Sequence, residues 1–348
     1  MDVDSLRTLV TGAHRLGPWQ AAGVPAHQLA SGLGRSAHHG RWAFAAAGTR
    51  EDARQRALED ASVLPPDGAV GGWGAAHLLG VEWLDGTDAA GGRQAGVVCL
   101  PPHRQVRRPG LRALRSRLDP GDVVLVAGTR VTSPVRTAFD LARTASDLAT
   151  AVERLDCLLA YGVAAGDVAE YARRRPRWAG VQRVRQAVSL ASGRIRSPAE
   201  SRWRLVWQLG AGLSRPMVNA TVVDLDGWVH AEVDPMDPVI GLVGEYDGSP
   251  HSGAAQRSKD ARRQERLERL GLTVVRCTAV DLGRPHVLVA RVRDAAGRAG
   301  GVPGPRRWAA RELAVSVGHL RAYEVVGPSG LSPGCAQTDG HAGVSVSS

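Results

Sequence analysis

The sequence predicts an α/β protein, with a mostly helical N-terminal part followed by a domain of helices around a mixed sheet. Apolar residues recur at three- and four-residue spacing in VTSPVRTAFDLAR and AVERLDCLLAYG, which is the helical period. Short apolar or alternating runs typical of strands, such as ATVVDL, WVHAEVD and VIGLVGEYD, follow after residue 197. Short strands are also predicted at GVVCL and DVVLVAG, between 52 and 145. A chain of 348 residues is about the right size for two or three domains.

The composition favours a nucleic-acid partner. The 348 residues include 44 Lys and Arg against 34 Asp and Glu, a net charge of +10, and Lys259 is the single lysine. Guanidinium groups bind phosphate bidentately, although GC-rich coding would produce the same arginine bias. The four cysteines are widely spaced without a CxxC pair, which argues against a zinc site or a disulfide framework. The sequence has no signal-peptide pattern and no long apolar run, so we expect a cytoplasmic protein without a membrane partner.

Residues 18–44 have the layout of a DNA-binding module. A short helix, a turn at Gly23, a second helix ending near Leu33 and a two-stranded hairpin follow one another in PWQAAGVPAHQLASGLGRSAHHGRWAF. This order is typical of a winged helix-turn-helix, whose second helix enters the major groove while the wing contacts the backbone. We therefore expect a winged-helix-like module at 1–50, with Arg41 either a phosphate contact or an ordinary exposed residue.

Residues 51–195 predict a mixed, largely helical linker domain that carries two arginine-rich stretches. Six arginines and no acid occur in 103–117, and eight arginines and no carboxylate occur in 172–199. Such stretches either face phosphates or form solvated surfaces. The DNA contacts predicted in the first stretch are Arg104, Arg107 and Arg108.

A second domain is predicted at 196–295. The run from Ser197 to Glu200 reads as a capping box with proline at the first helical position, so a helix begins there. Three strands, a charged helix at 254–270 and the apolar strand LTVVRC complete a mixed sheet. The Gly/Pro/Ser-rich remainder, 296–348, is expected to be mostly disordered, with one helix near 310–320.

Acidic side chains gather at the ends of two strands of this domain. In WVHAEVD, period-two geometry places four side chains on one face: Trp228, His230, Glu232 and Asp234. In VIGLVGEYD the same rule pairs Glu245 with Asp247 at the end of an apolar strand. Asp234 and Glu245 on neighbouring strands could converge on a hard cation such as Mg²⁺, which prefers carboxylate oxygens.

The motifs SPAES, EVDPMDP, GEYDGSPH, KDARRQERLERLG and LTVVRCTAVDL span about 197–283. In combination they resemble the PD-(D/E)XK nuclease superfamily, and within it a family related to very-short-patch-repair (Vsr-like) endonucleases. The resemblance implies a restriction-endonuclease-like fold and phosphodiester hydrolysis that depends on Mg²⁺ (or Mn²⁺). It also implies five catalytic residues: Glu200, Asp234, Glu245, Asp247 and His251. Three of them, Asp234, Glu245 and Asp247, are expected to hold the metal.

One position departs from the superfamily pattern. Asp247 stands where a lysine usually orients the attacking water. Either Asp247 joins the metal ligands while His251 or Lys259 assists the water, or the site binds DNA without cleaving it. Local roles are also open, because Glu200 fits a helix cap and Asp234 fits a strand end before a proline.

The charged helix at 254–270 is expected to line the substrate backbone. Its predicted DNA contacts are Lys259, Arg262, Arg263 and Arg266. The motifs QAAGVPAHQLASGLGRSAHHGRWAF, GWGAAHLLGV and VTSPVRTAFDLA in the first 195 residues separately resemble AbiEi-type antitoxin proteins, which implies a winged-helix regulator joined to a linker domain.

Two functions therefore follow from the sequence. The first is a DNA-binding protein with a Vsr-like, Mg²⁺-dependent endonuclease domain. The alternative is a non-catalytic, antitoxin-like transcriptional regulator in which the nuclease fold is degenerate. The sequence leaves a toxin partner and the oligomeric state open.

Overall fold

The computed structural model describes residues 13–44, 52–88, 91–247, 254–300, 306–312 and 317–326. They form two compact units. The first holds the described residues up to Leu141 together with those after Gly318, and the second holds those from Ala142 to Gly318. Helices and a mixed sheet occur in each unit, so the described chain is an α/β protein, as predicted. The domain boundaries that the sequence indicates, at 50, 195 and 295, stay predictions.

The first unit begins with two short helices and a small antiparallel sheet. Their bounds are α1 Leu16–Ala21, α2 Ala26–Gln28 with a π-helical turn at Leu29–Leu33, β1 Ala13–His14, β2 Gly34–His38 and β3 Arg41–Phe44. Gly23 turns the chain between the helices with a φ of +83°, a value that favours glycine. Trp19 packs on Leu29 and donates its indole N–H to the Trp42 carbonyl at 3.1 Å. The elements follow the order predicted for 18–44, with β1 as a third strand.

A six-stranded mixed sheet forms the centre of the first unit. Its strands are β4 Ala69–Gly71, β5 Gly96–Leu100, β6 Leu111–Arg115, β7 Val123–Val126, β8 Thr129–Thr132 and β15 Glu324–Val325, in the spatial order β15-β7-β8-β4-β5-β6. Three helices accompany it: α3 Ala53–Ala61, α4 Gly72–Leu78 and α5 Pro134–Arg143. Val70, Trp73 and Leu79 lie in the core between these elements. A sheet on which helices pack buries one apolar face, which explains why this part of the sequence mixes both periods.

The second unit contains most of the long helices. Their bounds are α6 Leu148–Ala160, α7 Ala165–Arg173, α8 Val181–Leu190, α9 Pro198–Leu205 with a π-helical turn at Val206–Gly210, α10 Ala254–Arg269, α11 Ala279–Leu282 and α12 Pro285–Ala299. Trp203 and Trp207 pack edge to face, with ring centroids 6.0 Å apart, in a core that includes Leu242 and Leu288. Burying two large aromatic side chains from one helix fixes α9 against the strands that follow it.

The strands of the second unit form two small sheets rather than the single mixed sheet that the sequence predicts. One is antiparallel, in the order β10-β9-β14, and the other is mixed, in the order β11-β12-β13. Their bounds are β9 Ala220–Asp224, β10 Val229–Val233, β11 Met236–Asp237, β12 Leu242–Asp247, β13 Thr273–Thr278 and β14 Trp308–Glu312. Pro235 stands between β10 and β11 and has no N–H to donate, so the ladder is interrupted there.

The segment predicted as a disordered tail contributes structure in its described part. α12 continues to Ala299, and Trp308–Glu312 is the edge strand β14, paired with β9. The predicted helix near 310–320 is wrong in its described parts, because residues 310–312 are extended and residues 317–320 are not helical. Trp308 is buried against Ala220 and Val222, and this apolar contact explains the strand. Residues 327–348 lie outside the described part of the chain.

Three of the four cysteines lie in the described part of the chain. Cys99, Cys157 and Cys277 are free and buried. Burial raises the pKa of Cys157 well above its usual range and that of Cys277 to about 12. Among the described helices, none combines the length and the apolarity needed to cross a membrane.

Candidate functional site

Glu200 lies in the first turn of α9, which begins with Pro198 after Ser197. Its carboxylate accepts a hydrogen bond from the Arg196 main-chain N–H at 2.7 Å and faces the Asn219 side-chain amide at 3.4 Å. The Ser197 side chain caps no main-chain N–H, and Glu200 bonds to the N–H of Arg196 rather than to that of the N-cap residue Ser197. The predicted capping box is therefore wrong, although a helix does begin at Pro198. Glu200 is therefore tied to its own helix start while it also lies beside another acid, Asp234.

Asp234 is a buried acid whose carboxylate makes no hydrogen bond of good geometry with the described residues, although the Asn219 main-chain amide lies near it. Asp234 is 9% exposed. Desolvation by burial raises its pKa well above the usual range, and the neighbouring Glu200 raises it further. The charge of Arg204 and the Asn219 main-chain amide lower that pKa only in part. A buried carboxylate in this state is stable only when protonated or paired with a cation.

The alternation predicted along WVHAEVD is wrong at both ends. The pairing of β10 with β9 shifts register between Val229 and Ala231. Trp228 is exposed before the strand begins, and Glu232 is an exposed partner of Arg196 at 2.6 Å. Asp234 instead follows the strand and is buried. The irregularity at Val229–Ala231 separates Trp228 from the regular part of the strand, so the period of two does not hold across it. Asp234 lies beyond the last paired residue, Val233, so the alternation of the strand does not assign its face.

Glu245 stands on β12 between two guanidinium groups. Nε of Arg263 on α10 is 3.1 Å from Oε1, and Nε of Arg276 on β13 is 3.6 Å from Oε2. Arg276 is the register partner of Glu245 in the parallel pair β12–β13. Desolvation raises the pKa of Glu245, and the two arginines oppose that shift. Oε1 has no hydrogen bond of good geometry in the described structure, so these pairs are electrostatic rather than directional.

The chain brings Asp234 and Glu245 to adjacent backbone segments. The Gly244 N–H donates to the Pro235 carbonyl at 2.6 Å, and these two residues are the immediate neighbours of the acids. A Cβ on Gly244 would lie 2.5 Å from Cδ of Pro235 and 2.7 Å from Nε1 of Trp203. Only glycine therefore permits the two segments and α9 to approach this closely.

The remaining predicted site residues are placed as follows. Asp247 ends β12, half-buried and on the same side of the strand as Glu245 by alternation. Lys259 is exposed on α10, while His251 lies outside the described residues. Within the described ranges, no three His, Cys, Asp or Glu side chains are grouped closely enough to hold a metal ion.

The arginines on α10 that are predicted to contact DNA differ in whether they are already paired. Arg266 is exposed, and Arg262 bonds back to Ser258 of its own helix at 2.9 Å. Arg263 reaches instead across to Glu245 and to the Glu232 carbonyl. Its role as a free backbone contact therefore needs correction, since its charge is already partnered inside the unit.

The arginine-rich stretches are less free of acids than their sequences suggest. Nε of Arg104 is 2.9 Å from Oδ2 of Asp67. Glu170 binds both Arg173 and Arg174, at 2.6 and 2.7 Å, and these bonds lower its pKa to about 2. In each case the acid lies outside the stretch in sequence but folds onto it.

The arginine-rich stretch at 103–117 nevertheless contributes positive charge near the hairpin β2–β3. Arg107 and Arg108 are exposed. Burial lowers the pKa of Arg41, and the positive charges of Arg15 and Arg108 lower it further. The wing arginine and the loop arginine that the sequence indicates separately are therefore close enough to repel each other.

Sequence reasoning missed Arg276 and Arg204. Arg276 interrupts the apolar strand TVVRCT opposite Glu245, and a lone cation in such a strand is a signal for a buried acid partner. Arg204 is buried on α9, where Nη2 is 2.7 Å from Oδ2 of Asp156. It sits among apolar residues in WRLVWQL, which is the same kind of signal.

Comparison with known proteins gives relatives but no activity. No family model and no solved structure matches the chain. The chain is similar to two uncharacterised proteins of Mycobacterium tuberculosis, from strains CDC 1551 / Oshkosh and H37Rv. Each is 29% identical over 232 residues, which is 64% of this chain and 76% of the relative. Most of each relative is thus covered by the match.

Proposed function

We propose that the chain is a cytoplasmic DNA-binding protein whose second unit is a Vsr-like endonuclease domain of the PD-(D/E)XK type. The proposed reaction is phosphodiester hydrolysis with Mg²⁺ or Mn²⁺. The observation that carries the proposal is the buried Asp234 carboxylate, which makes no hydrogen bond of good geometry with the described residues and lies beside Glu200. A fold gains nothing from such a group unless a proton or a cation neutralises it.

The carboxylates present are chemically suited to a hard divalent cation, but the described residues do not group three of them closely enough to hold one, so binding would require them to move together. Carboxylate oxygens are the ligands that Mg²⁺ prefers, and Asp234 and Glu245 both keep oxygens without hydrogen bonds. Asp234, Glu245 and Asp247 would hold the ion, with Glu200 supporting Asp234. When bound, the ion would lower the pKa of a water molecule and offset charge on the phosphate.

The chain's own cations supply a substitute for the missing lysine. Arg263 and Arg276 flank Glu245 at 3.1 and 3.6 Å, where Asp247 cannot offer a positive charge. A guanidinium at this position can hold a phosphate oxygen through parallel N–H groups. We assign Arg263 and Arg276 to orienting the scissile phosphate once Glu245 turns from them to the ion, and Glu200 to positioning Asp234.

The first unit supports the DNA-binding half of the proposal. α1, the Gly23 turn, α2 and the hairpin β2–β3 follow the order of a winged helix, and the AbiEi-like resemblance points the same way. Arg41 and Arg108 contribute to the cationic group at the hairpin. Phosphate contacts of this kind give affinity that falls steeply with salt.

A second candidate function is the non-catalytic regulator. The specific observation in its favour is the double pairing of Glu245 with Arg263 and Arg276, which neutralises the second acid without any metal. A degenerate site would keep such pairs for stability alone. This candidate predicts salt-sensitive DNA binding that does not respond to a divalent cation.

The test is nicking of supercoiled plasmid by the full chain with Mg²⁺ or Mn²⁺. Asp234→Ala and Glu245→Ala should abolish cleavage, whereas Asp226→Ala, an exposed turn acid, should leave it unchanged. Cleavage that persists in the first two variants, or no metal-dependent cleavage by the parent, would overturn the nuclease proposal. Unchanged DNA binding in all variants without cleavage would select the regulator.

A further inference from the structure

The described part of the first unit contains a cavity of about 690 Å³. Hairpin β2–β3, helix α3, Trp73 and the loop before β6 border it. Charged groups of both signs line it, among them His38, Arg56, Asp60, Arg93 and Arg108. Its volume falls in the range of pockets that hold small ligands, which is roughly 300 to 1,000 Å³. The proposed nuclease site uses none of these residues.

One wall of the cavity is a fixed guanidinium. The guanidinium carbon of Arg56 lies 4.6 Å from the ring centroid of Trp73. The carbonyls of Asp85 and Gly86 accept hydrogen bonds from Arg56, and Nε has no partner among the described residues. Trp73 is itself held by a 2.9 Å hydrogen bond from its indole N–H to the Ala95 carbonyl. A planar cation held in this way is a platform on which a nucleobase can stack.

A second wall carries a hydrogen-bond acceptor. Oδ1 of Asp60 is 3.1 Å from Nε2 of His38. A methyl group on Gly96 would lie 1.8 Å from Oδ2 of the same carboxylate. Glycine at this position is therefore what lets the carboxylate reach the cavity. A carboxylate accepts N–H donors on the edge of a base.

The mouth of the cavity is cationic. Arg108 is an exposed lining residue, and its positive charge lowers the pKa of Arg41 on β3. Arg93 also lines the cavity. Grouped guanidinium groups attract a phosphate. A simple anion would use this mouth but not Asp60, while a ligand that uses both must combine a phosphate with N–H donors.

We propose that this cavity binds one unstacked guanine nucleotide, with its phosphate at Arg108, its base on the Arg56 guanidinium and its N–H edge at Asp60. Guanine is the base that offers adjacent N1–H and N2–H donors to one carboxylate. The cavity is too small for a duplex, so the nucleotide is either free or turned out of a DNA strand. This inference concerns the first unit and goes beyond the proposed nuclease activity.

The test of the chemistry is calorimetric titration of the full chain with dGMP, dAMP, dCMP, dTMP and inorganic phosphate. We expect dGMP to bind most tightly, and Arg108→Glu and Asp60→Asn each to weaken it at least tenfold. Arg112→Glu is the matched control, an exposed arginine on β6 outside the cavity, and should not change the affinity. Equal binding of inorganic phosphate and dGMP, or dGMP binding unchanged in both cavity variants, would overturn the proposal.

A second arm distinguishes the two sources of the nucleotide. Fluorescence anisotropy would compare a matched duplex with the same duplex carrying one guanine opposite an abasic site. A preference for the unpaired guanine that Arg108→Glu removes assigns the cavity to a DNA strand, while dGMP binding without that preference assigns it to a free nucleotide. If the parent protein neither prefers the unpaired guanine nor binds dGMP, the inference is contradicted. Asp234→Ala should keep either form of binding, so the outcome is independent of the nuclease proposal.

Discussion

Nη2 of Arg204 lies 2.7 Å from Oδ2 of Asp156, and both side chains are almost completely buried. Asp156 on α6 also accepts hydrogen bonds from the Ser201 hydroxyl at 2.6 Å and from the main-chain N–H groups of Ser192 and Gly193. One carboxylate thus joins α6, the chain after α8 and α9. Because α9 carries Glu200, this network fixes the helix that bears one of the proposed site residues.

Removing one partner of this pair should strongly destabilise the second unit. Asp156→Ala leaves a buried guanidinium without its partner, so we expect a loss of about 3–5 kcal/mol in the free energy of unfolding. Glu153→Ala is the matched control, because its pair with Arg202 is partly exposed and should contribute about 1 kcal/mol or less. Urea denaturation measures both, and equal losses would contradict the assignment of a buried network.

Gly244→Ala should destabilise the protein by crowding. The added methyl group would lie 2.5 Å from Pro235 and 2.7 Å from the Trp203 indole, so we expect a loss of about 1–3 kcal/mol. Gly297→Ala on α12 is the control, since no atom lies within 4 Å of its Cβ position. That change should stabilise the helix by about 1 kcal/mol or less. The melting temperature should therefore fall for Gly244→Ala and rise for Gly297→Ala. A change in the same direction for both variants would contradict this explanation.

Asp60 should make stability fall as pH rises. Burial raises its pKa in the folded state, although the His38 hydrogen bond opposes this. The folded state therefore binds more protons than the unfolded state between the usual carboxyl pKa and the raised one, and stability decreases with pH across that window. Asp60→Asn should remove this component. The measurement is the free energy of unfolding as a function of pH for the parent and for Asp60→Asn. If the two curves have the same slope across this pH window, the prediction is wrong.

Asp67 provides the control of opposite sign. Desolvation alone would raise its pKa, but the hydrogen bond and charge of Arg104 outweigh it and lower the pKa. A carboxyl with a lowered pKa contributes stability that is lost as pH falls through the folded value. Asp67→Asn should therefore flatten the acid side of the profile, where Asp60→Asn has little effect.

Trp308→Ala tests whether β14 is integral to the second unit. The side chain is 6% exposed and packs on β9, so its removal should cost about 3–5 kcal/mol. Arg307→Ala just before it is exposed and should change stability by less than about 0.5 kcal/mol. Denaturation curves that coincide for the two variants would mean that the strand is dispensable.

Local patterns predicted the order of elements well, and tertiary contacts account for what they missed. The helix at Ala254–Arg269 and the strand at Thr273–Thr278 follow from their own periods. β14 does not, because only its pairing with β9 makes that short segment extended. The pairs of Glu245 with Arg263 and Arg276 likewise join residues far apart in sequence, so no local pattern indicates that the acid is partnered.

The first unit is discontinuous along the chain, since β15 at Glu324–Val325 pairs with β7 only after the whole second unit has intervened. A ribosome synthesises β7 long before β15. The nascent sheet therefore exposes the edge of β7 while residues 142–318 emerge and fold. Completion of the first unit then waits for residues 324–325, which couples the assembly of the N-terminal sheet to synthesis of the whole second unit.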